Sequence, residues 1–175
     1  MTHEPESTST RGVGLLFGLL AWFSLAGLMV LAFQEQLGNL MNPNQSVQSV
    51  HTADAIEVTL QQSRGGHYVA NGTINEQSVT FMLDTGATQV AIPQRVADDL
   101  GLVRGREVRV NTANGVATAY TTEISSLGLG DIRLPDVEAH IVPGYDSDAI
   151  LLGMSALSRL DWSRSGSELT LRYRQ

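Results

Sequence analysis

Phe81-Met82-Leu83-Asp84-Thr85-Gly86-Ala87-Thr88 decides how this chain is read. An apolar run with strand character ends abruptly on an aspartate, a threonine and a glycine. A buried strand gives its last residue a rigid position, so a carboxylate placed there stands at a fixed point. Thr85 can hydrogen-bond backbone or a facing loop. Gly86 lets the chain turn tightly and leaves its N–H open to the carboxylate. By itself the tripeptide also fits a plain turn after a strand, where Asp and Gly are favoured residues.

The neighbouring sequence has the same character. Ile56–Leu60 alternates with period two, and Ser63-Arg64-Gly65-Gly66 reads as a turn before His67–Ala70 and Gly72–Ile74. Val79–Leu83 forms the strand that leads into Asp84. Glu107–Val110 and Val116–Ile124 flank Asn114-Gly115, a strong hairpin signal. Further strands are expected at Ile132–Leu134, Val137–Val142, Ala149–Leu152 and Leu169–Tyr173. Two short helices are expected, from Pro93 to Leu100 with Gly101 as its stop, and from Met154 to Leu160. Short, closely spaced strands with little helix indicate an all-β domain, a compact barrel or sandwich. The Asp-Thr-Gly is not repeated.

Upstream, Val13 to Phe33 is an uncharged run of 21 residues. At about 1.5 Å per residue a helix of that length covers the bilayer core. A cleaved signal peptide has a basic start, a shorter apolar core and a small-residue cleavage site. Here the start is Met1-Thr2-His3-Glu4-Pro5-Glu6 and no convincing site follows, so a retained transmembrane helix is expected. Arg11 precedes the span and Glu35 is the first charge beyond it. The positive-inside rule then places residues 1–12 as a cytoplasmic tail and the remainder outside. Gly14 and Gly18 form a G-x-x-x-G pair, a spacing common in membrane helices whether or not they associate. Residues 34–54, rich in Gln, Asn and Ser, read as a flexible polar linker, and residues 55–175 as the folded domain.

Composition narrows the chemistry. The chain has 175 residues, a net charge of −7 and no cysteine. Thiol catalysis, disulfides and thiolate metal sites are excluded, and an acidic domain argues against a nucleic-acid partner. All eleven basic residues are arginine. His51, His67 and His140 lack metal-ligand spacing, and Asp146 and Asp148 read as a solvated loop. Ser155 has no histidine placed by sequence to activate it. No metal or cofactor is expected.

An aspartate loop, a hairpin and a hydrophobic-hydrophobic-Gly strand before a helix follow one another in retropepsin-like aspartic proteases. The chain resembles that family, and more closely its bacterial members with an N-terminal membrane anchor, over about His67 to Arg174. The resemblance rests on Gly66-His67-Tyr68-Val69, Leu83 to Thr88, Thr112-Ala113-Asn114-Gly115 and Leu151-Leu152-Gly153-Met154-Ser155-Ala156-Leu157. Its single flap glycine and its anchor depart from the retroviral members.

The resemblance implies a single-lobe closed barrel with a flap hairpin. It implies Asp84, Thr85 and Gly86 as the catalytic triplet, and Ala87, Ala113, Asn114 and Gly115 against an extended peptide. It implies a homodimer whose two Asp84 carboxylates activate a water, on the periplasmic side of a bacterial inner membrane. The strand Leu169–Tyr173 would join the dimer sheet or form an intramolecular edge strand. A non-catalytic peptide-binding or assembly module on the same fold is the alternative function.

Overall fold

The computed structural model describes residues 10–112 and 115–174. It divides into two compact units, Met1–Gly38 and Asn39–Gln175. Helix α1 (Thr10–Met41) supplies the first, its last three residues falling in the second. Its stretch Gly12–Phe33 is long and apolar enough to cross a membrane, and none of it is buried within the protein.

The second unit is built from eleven strands and two short helices. In chain order these are β1 (Ser49–His51), β2 (Ala55–Gln61), β3 (Val69–Ile74), β4 (Gln77–Leu83), β5 (Val90–Pro93) and α2 (Gln94–Asp99). There follow β6 (Glu107–Thr112), β7 (Gly115–Leu129), β8 (Ile132–Val142), β9 (Ala149–Leu152), α3 (Met154–Leu157), β10 (Asp161–Ser165) and β11 (Glu168–Arg174). Four strands form a sheet in the order β1-β2-β11-β10, and seven form a sheet in the order β3-β4-β9-β5-β8-β7-β6. A further pairing of Thr73 with Gly128 and Ile74 with Leu127 joins β3 to β7 and curls the larger sheet towards a barrel. This closure needs Gly72: a Cβ there would sit 2.4 Å from the Gly128 carbonyl oxygen and 2.7 Å from the Phe81 ring.

Alternation fills the interior. Phe81, Ile92, Ile124, Leu127, Leu134, Ile141, Ile150 and Leu152 are all fully buried. Each contributes about 1.5–3 kcal/mol of transfer free energy. Their strand neighbours point the other way, as period-two strands require.

Several elements differ from the sequence expectation: α1 runs on past Phe33 to Met41, and β8 joins the expected strands Ile132–Leu134 and Val137–Val142 into one. The second helix stops at Leu157 instead of Leu160. β5 was not expected, because its four residues run straight into Pro93, which ends the strand and starts α2. Nor was β10: all five of its residues are exposed, so no hydrophobic period marks it. Gly101 does stop α2, with φ +67.

The polar stretch after α1 also differs from a free linker. Asn44 is only 6 % exposed. Its amide donates to the carbonyls of Gln61 at 2.9 Å and Val69 at 2.7 Å, and its oxygen accepts from Gln61 N–H at 2.7 Å. Gln61 ends β2 in one sheet and Val69 opens β3 in the other, so this side chain stitches the two sheets together. Asn42 adds a bond to Asn71 at 2.8 Å, and β1 pairs with β2. Amide side chains read as solvated polar residues in a sequence; here they stand in for backbone partners at a corner where two strands part.

Replacing Asn44 with alanine strands one N–H and two carbonyls. The expected cost is about 2–3 kcal/mol, since an unpaired buried polar group forfeits its full desolvation energy. A chain begun at Ala55 should show a similar loss, read as a lower denaturant midpoint than a chain begun at Asn39.

Candidate active site

Asp84 follows β4 directly and is half-buried. β4 runs parallel to β9, with Met82 beside Leu151 and Leu83 beside Leu152. The Asp84 N–H donates to the Leu152 carbonyl at 3.2 Å, and the Leu83 N–H to the Tyr68 carbonyl at 2.9 Å. The backbone on both sides of the carboxylate is therefore anchored in the sheet.

The loop after it folds back on the carboxylate. Gly86 N–H donates to Asp84 Oδ1 at 2.9 Å, and Ala87 N–H to the Asp84 carbonyl at 3.2 Å. From the other side, Met154 N–H donates to the Ala87 carbonyl at 2.8 Å and Ser155 N–H to the Thr88 carbonyl at 2.9 Å. Gly153 makes that clasp possible: its Cα lies so close to the Gln89 and Ala87 carbonyls that a Cβ would meet them at 2.2 and 2.7 Å. Thr85 is exposed and makes no hydrogen bond among the described residues.

Of the expected site residues, Asp84, Thr85, Gly86 and Ala87 form this one loop. Gly115 opens β7 in the β6–β7 hairpin with φ +107, and its carbonyl accepts from Thr112 Oγ1 at 2.8 Å. Ala113 and Asn114 lie outside the described residues.

Ser155 has a structural duty. Its hydroxyl donates to the Glu138 carbonyl at 2.8 Å and accepts from Val90 N–H at 3.0 Å. Asp148 pairs with Arg95 on the surface. β11 lies between β2 and β10, so both of its edges are filled within the chain. Leu169–Tyr173 is thus paired within the chain, as an interior strand and not the expected edge strand.

Sequence reasoning missed a set of half-buried residues beside the carboxylate. In β4 and β9, Phe81, Ile150 and Leu152 face the core, so Met82, Ala149 and Leu151 face outwards. Ala91 of β5 continues the row, opposite Leu151. Extending the β4 alternation by one residue puts Asp84 on this same face. The signal was present in Phe81-Met82-Leu83 and Ile150-Leu151-Leu152, but uniformly apolar triplets do not reveal which residue turns outwards.

The family described as "gag-polyprotein putative aspartyl protease" matches residues 70–159, just over half of the chain. The chain belongs to this aspartyl protease family.

A solved retropepsin-like aspartic protease from Rickettsia conorii superposes with a TM-score of 0.59 at 26 % identity, covering 71 % of this chain and 96 % of that one. The fold is accordingly retropepsin-like. An uncharacterized protein from the cobV 5' region of a Sinorhizobium species is 32 % identical over 108 residues, covering 60 % of this chain and 46 % of that protein. An uncharacterized protein of Rickettsia prowazekii is 31 % identical over 118 residues, covering 66 % of this chain and 50 % of that protein. The chain thus spans about half the length of these curated relatives.

Proposed function

We propose that this chain is a membrane-anchored aspartic endopeptidase, active as a homodimer in which two Asp84 carboxylates share one catalytic water. The observation that carries the reading is the Asp84 loop. One carboxylate per chain is held at a strand end by the Gly86 N–H and clasped from the far side by residues 153–155. Two carboxylates about 3 Å apart cannot both ionise and so share a proton. The charged one takes a proton from water as it attacks the scissile carbonyl; the protonated one donates a hydrogen bond to the carbonyl oxygen. The pair titrates as one unit. The Thr85 hydroxyl, without a hydrogen bond among the described residues, would brace the facing loop of a second copy. Ala87 and the hairpin around Ala113, Asn114 and Gly115 would hold an extended peptide by backbone hydrogen bonds, as an added strand. Met82, Ala91, Ala149 and Leu151 offer apolar surface to its side chains.

The span Gly12–Phe33 supports anchoring. Arg11 on its N-terminal side supports an N-in orientation that puts the catalytic unit in the periplasm, and the relatives that match are bacterial. Tethering in a plane raises the local concentration of copies and favours a weak dimer.

β10 is the long edge that the smaller sheet leaves open. Trp162 pairs with the buried Leu171 yet is 49 % exposed, so it is suited to contact with a second copy. Trp162→Glu is expected to raise the dimer dissociation constant about tenfold or more by desolvating a charge at that contact. Sedimentation of both proteins reads the shift, and an unchanged dimer fraction would remove β10 from the interface.

The test of the shared site is a mixing experiment. Wild-type chain with excess Asp84→Ala chain should lose activity as mixed dimers replace wild-type ones. A mixture that keeps full wild-type activity rules out a site built from two chains.

A further inference from the structure

The stretch between α1 and β1 is pinned to the unit that carries Asp84. Asn42 Nδ2 donates to Asn71 Oδ1 at 2.8 Å, and Asn71 Nδ2 donates in turn to the Gln45 carbonyl at 3.1 Å. Backbone bonds add to this. Asn71 N–H donates to the Asn44 carbonyl at 3.1 Å and Arg64 N–H to that of Leu40 at 3.3 Å, while Asn44 forms a parallel bridge with Ala70. Further on, Val47 packs against the hydrophobic core, and Ser49 Oγ accepts from Asp131 N–H at 2.8 Å. Together with the buried Asn44 amide, these contacts hold the chain every few residues from Leu40 to β1, so it is no slack tether.

The pinning limits how far Asp84 can stand from the apolar span. Within α1, Phe33 and Met41 lie about 12 Å apart, at a rise of about 1.5 Å per residue. The step from Met41 to Asn44 adds about 11 Å when fully extended. From Asn44 the path crosses to Ala70, then to Phe81 paired with it, and follows β4 to Asp84. Two strand spacings and three strand residues make that about 20 Å. Whatever direction α1 takes, Asp84 stays within about 45 Å of Phe33. A slack linker over residues 34–54 would by itself have spanned about 70 Å.

We propose that the substrates are polypeptides anchored in the same membrane, cut in the extramembrane segment next to their own span. The inference rests on the reading of Asp84 as the catalytic carboxylate and of Gly12–Phe33 as the anchor. A tether this short confines the carboxylate to a shell beside the bilayer. A chain anchored in the same membrane meets it there at high effective concentration. A soluble polypeptide, or a bond carried far from the bilayer, gains nothing from the tether.

The test reconstitutes the full-length chain in lipid vesicles with a reporter. The reporter joins a membrane helix, a helical spacer and a cleavable sequence chosen from a peptide library. With a spacer of about 30 Å it is expected to be cut about tenfold faster, or more, than with one of about 90 Å. A Gly/Ser insert of about forty residues between Gly38 and Asn39, where the two units divide, leaves the pinned stretch intact. It should shrink that ratio to about two. Equal cutting of both reporters by wild type, or a ratio that the insert leaves unchanged, overturns the proposal.

A second readout does not depend on cleavage. The chain has no cysteine, so Thr85→Cys supplies a single point for a donor dye beside Asp84. Energy transfer to acceptor lipids is expected, and it should weaken in the chain with the insert. Absent transfer, or transfer that the insert does not change, overturns the short tether. The cleavable sequence as a soluble peptide separates the two readings: it should be cut alike with and without the insert, and not by Asp84→Asn. A soluble peptide that Asp84→Asn cuts as fast as wild type overturns the protease reading, whatever the dye reports.

Discussion

Asp84→Asn is expected to abolish peptide hydrolysis, with kcat falling by about a thousandfold or more, the scale on which a positioned acid–base group acts. The fold should survive. Asparagine keeps an oxygen at the place where Gly86 N–H donates, so the tight turn retains its acceptor. The backbone anchors from Asp84 to Leu152 and from Leu83 to Tyr68 involve no side chain. Activity with a defined peptide, denaturant midpoint and sedimentation should be recorded on the same preparation. Lost hydrolysis from a protein of unchanged stability fits catalysis. Retained hydrolysis sinks it, and a collapse in stability makes Asp84 a structural carboxylate instead.

The second large effect is expected far from any charge. Gly153→Ala would place a methyl group 2.2 Å from the Gln89 carbonyl oxygen and 2.7 Å from that of Ala87. Both obstacles are backbone and cannot rotate away. Relief requires the Asp84 loop to move off α3, which breaks the bond from Met154 N–H to the Ala87 carbonyl. The expected cost is about 3 kcal/mol, the upper end for overpacking. Activity should fall about a hundredfold even where the protein remains folded, because an ångström of misplacement at a reacting group has effects of that size. Thermal denaturation and kcat/KM check both parts. An alanine variant with wild-type stability would show that the clasp is looser than the structure places it.

The two substitutions also mark how far the sequence could be read. The turn at Asp84 was legible because Asp, Thr and Gly after an apolar strand suit a strand-to-loop transition, but the tripeptide alone fits a plain turn equally well, and it was the order of hairpin and Leu-Leu-Gly strand behind it that pointed to the family. Gly153 was legible as part of that motif, but not the reason it must be glycine: the reason is a carbonyl 64 residues away in the chain. Local patterning reports on neighbours along the chain, whereas this constraint is a crossing. Asn44 escaped notice for a related reason, since nothing distinguishes it from Asn42 or Gln45 until Gln61 and Val69 are brought to it. β10 lacked a signal because a strand with every residue exposed has no apolar period to show.

The pairing of β2 with β11 has a bearing on how the molecule is made. Leu60 lies opposite Leu169, so β2 is synthesised about 110 residues before the strand that completes its sheet. At roughly 5–20 residues per second, that strand follows about 5–20 seconds later. Throughout that interval one edge of β2 is open and the buried faces of Val58 and Leu60 lack their cover. Contacts that distant in sequence slow folding, because the intervening loop must close before they form. Assembly of the folded unit therefore awaits β11. A ribosome stalled before Glu168 would present an unfinished domain with a strand edge open to aggregation or to chaperones.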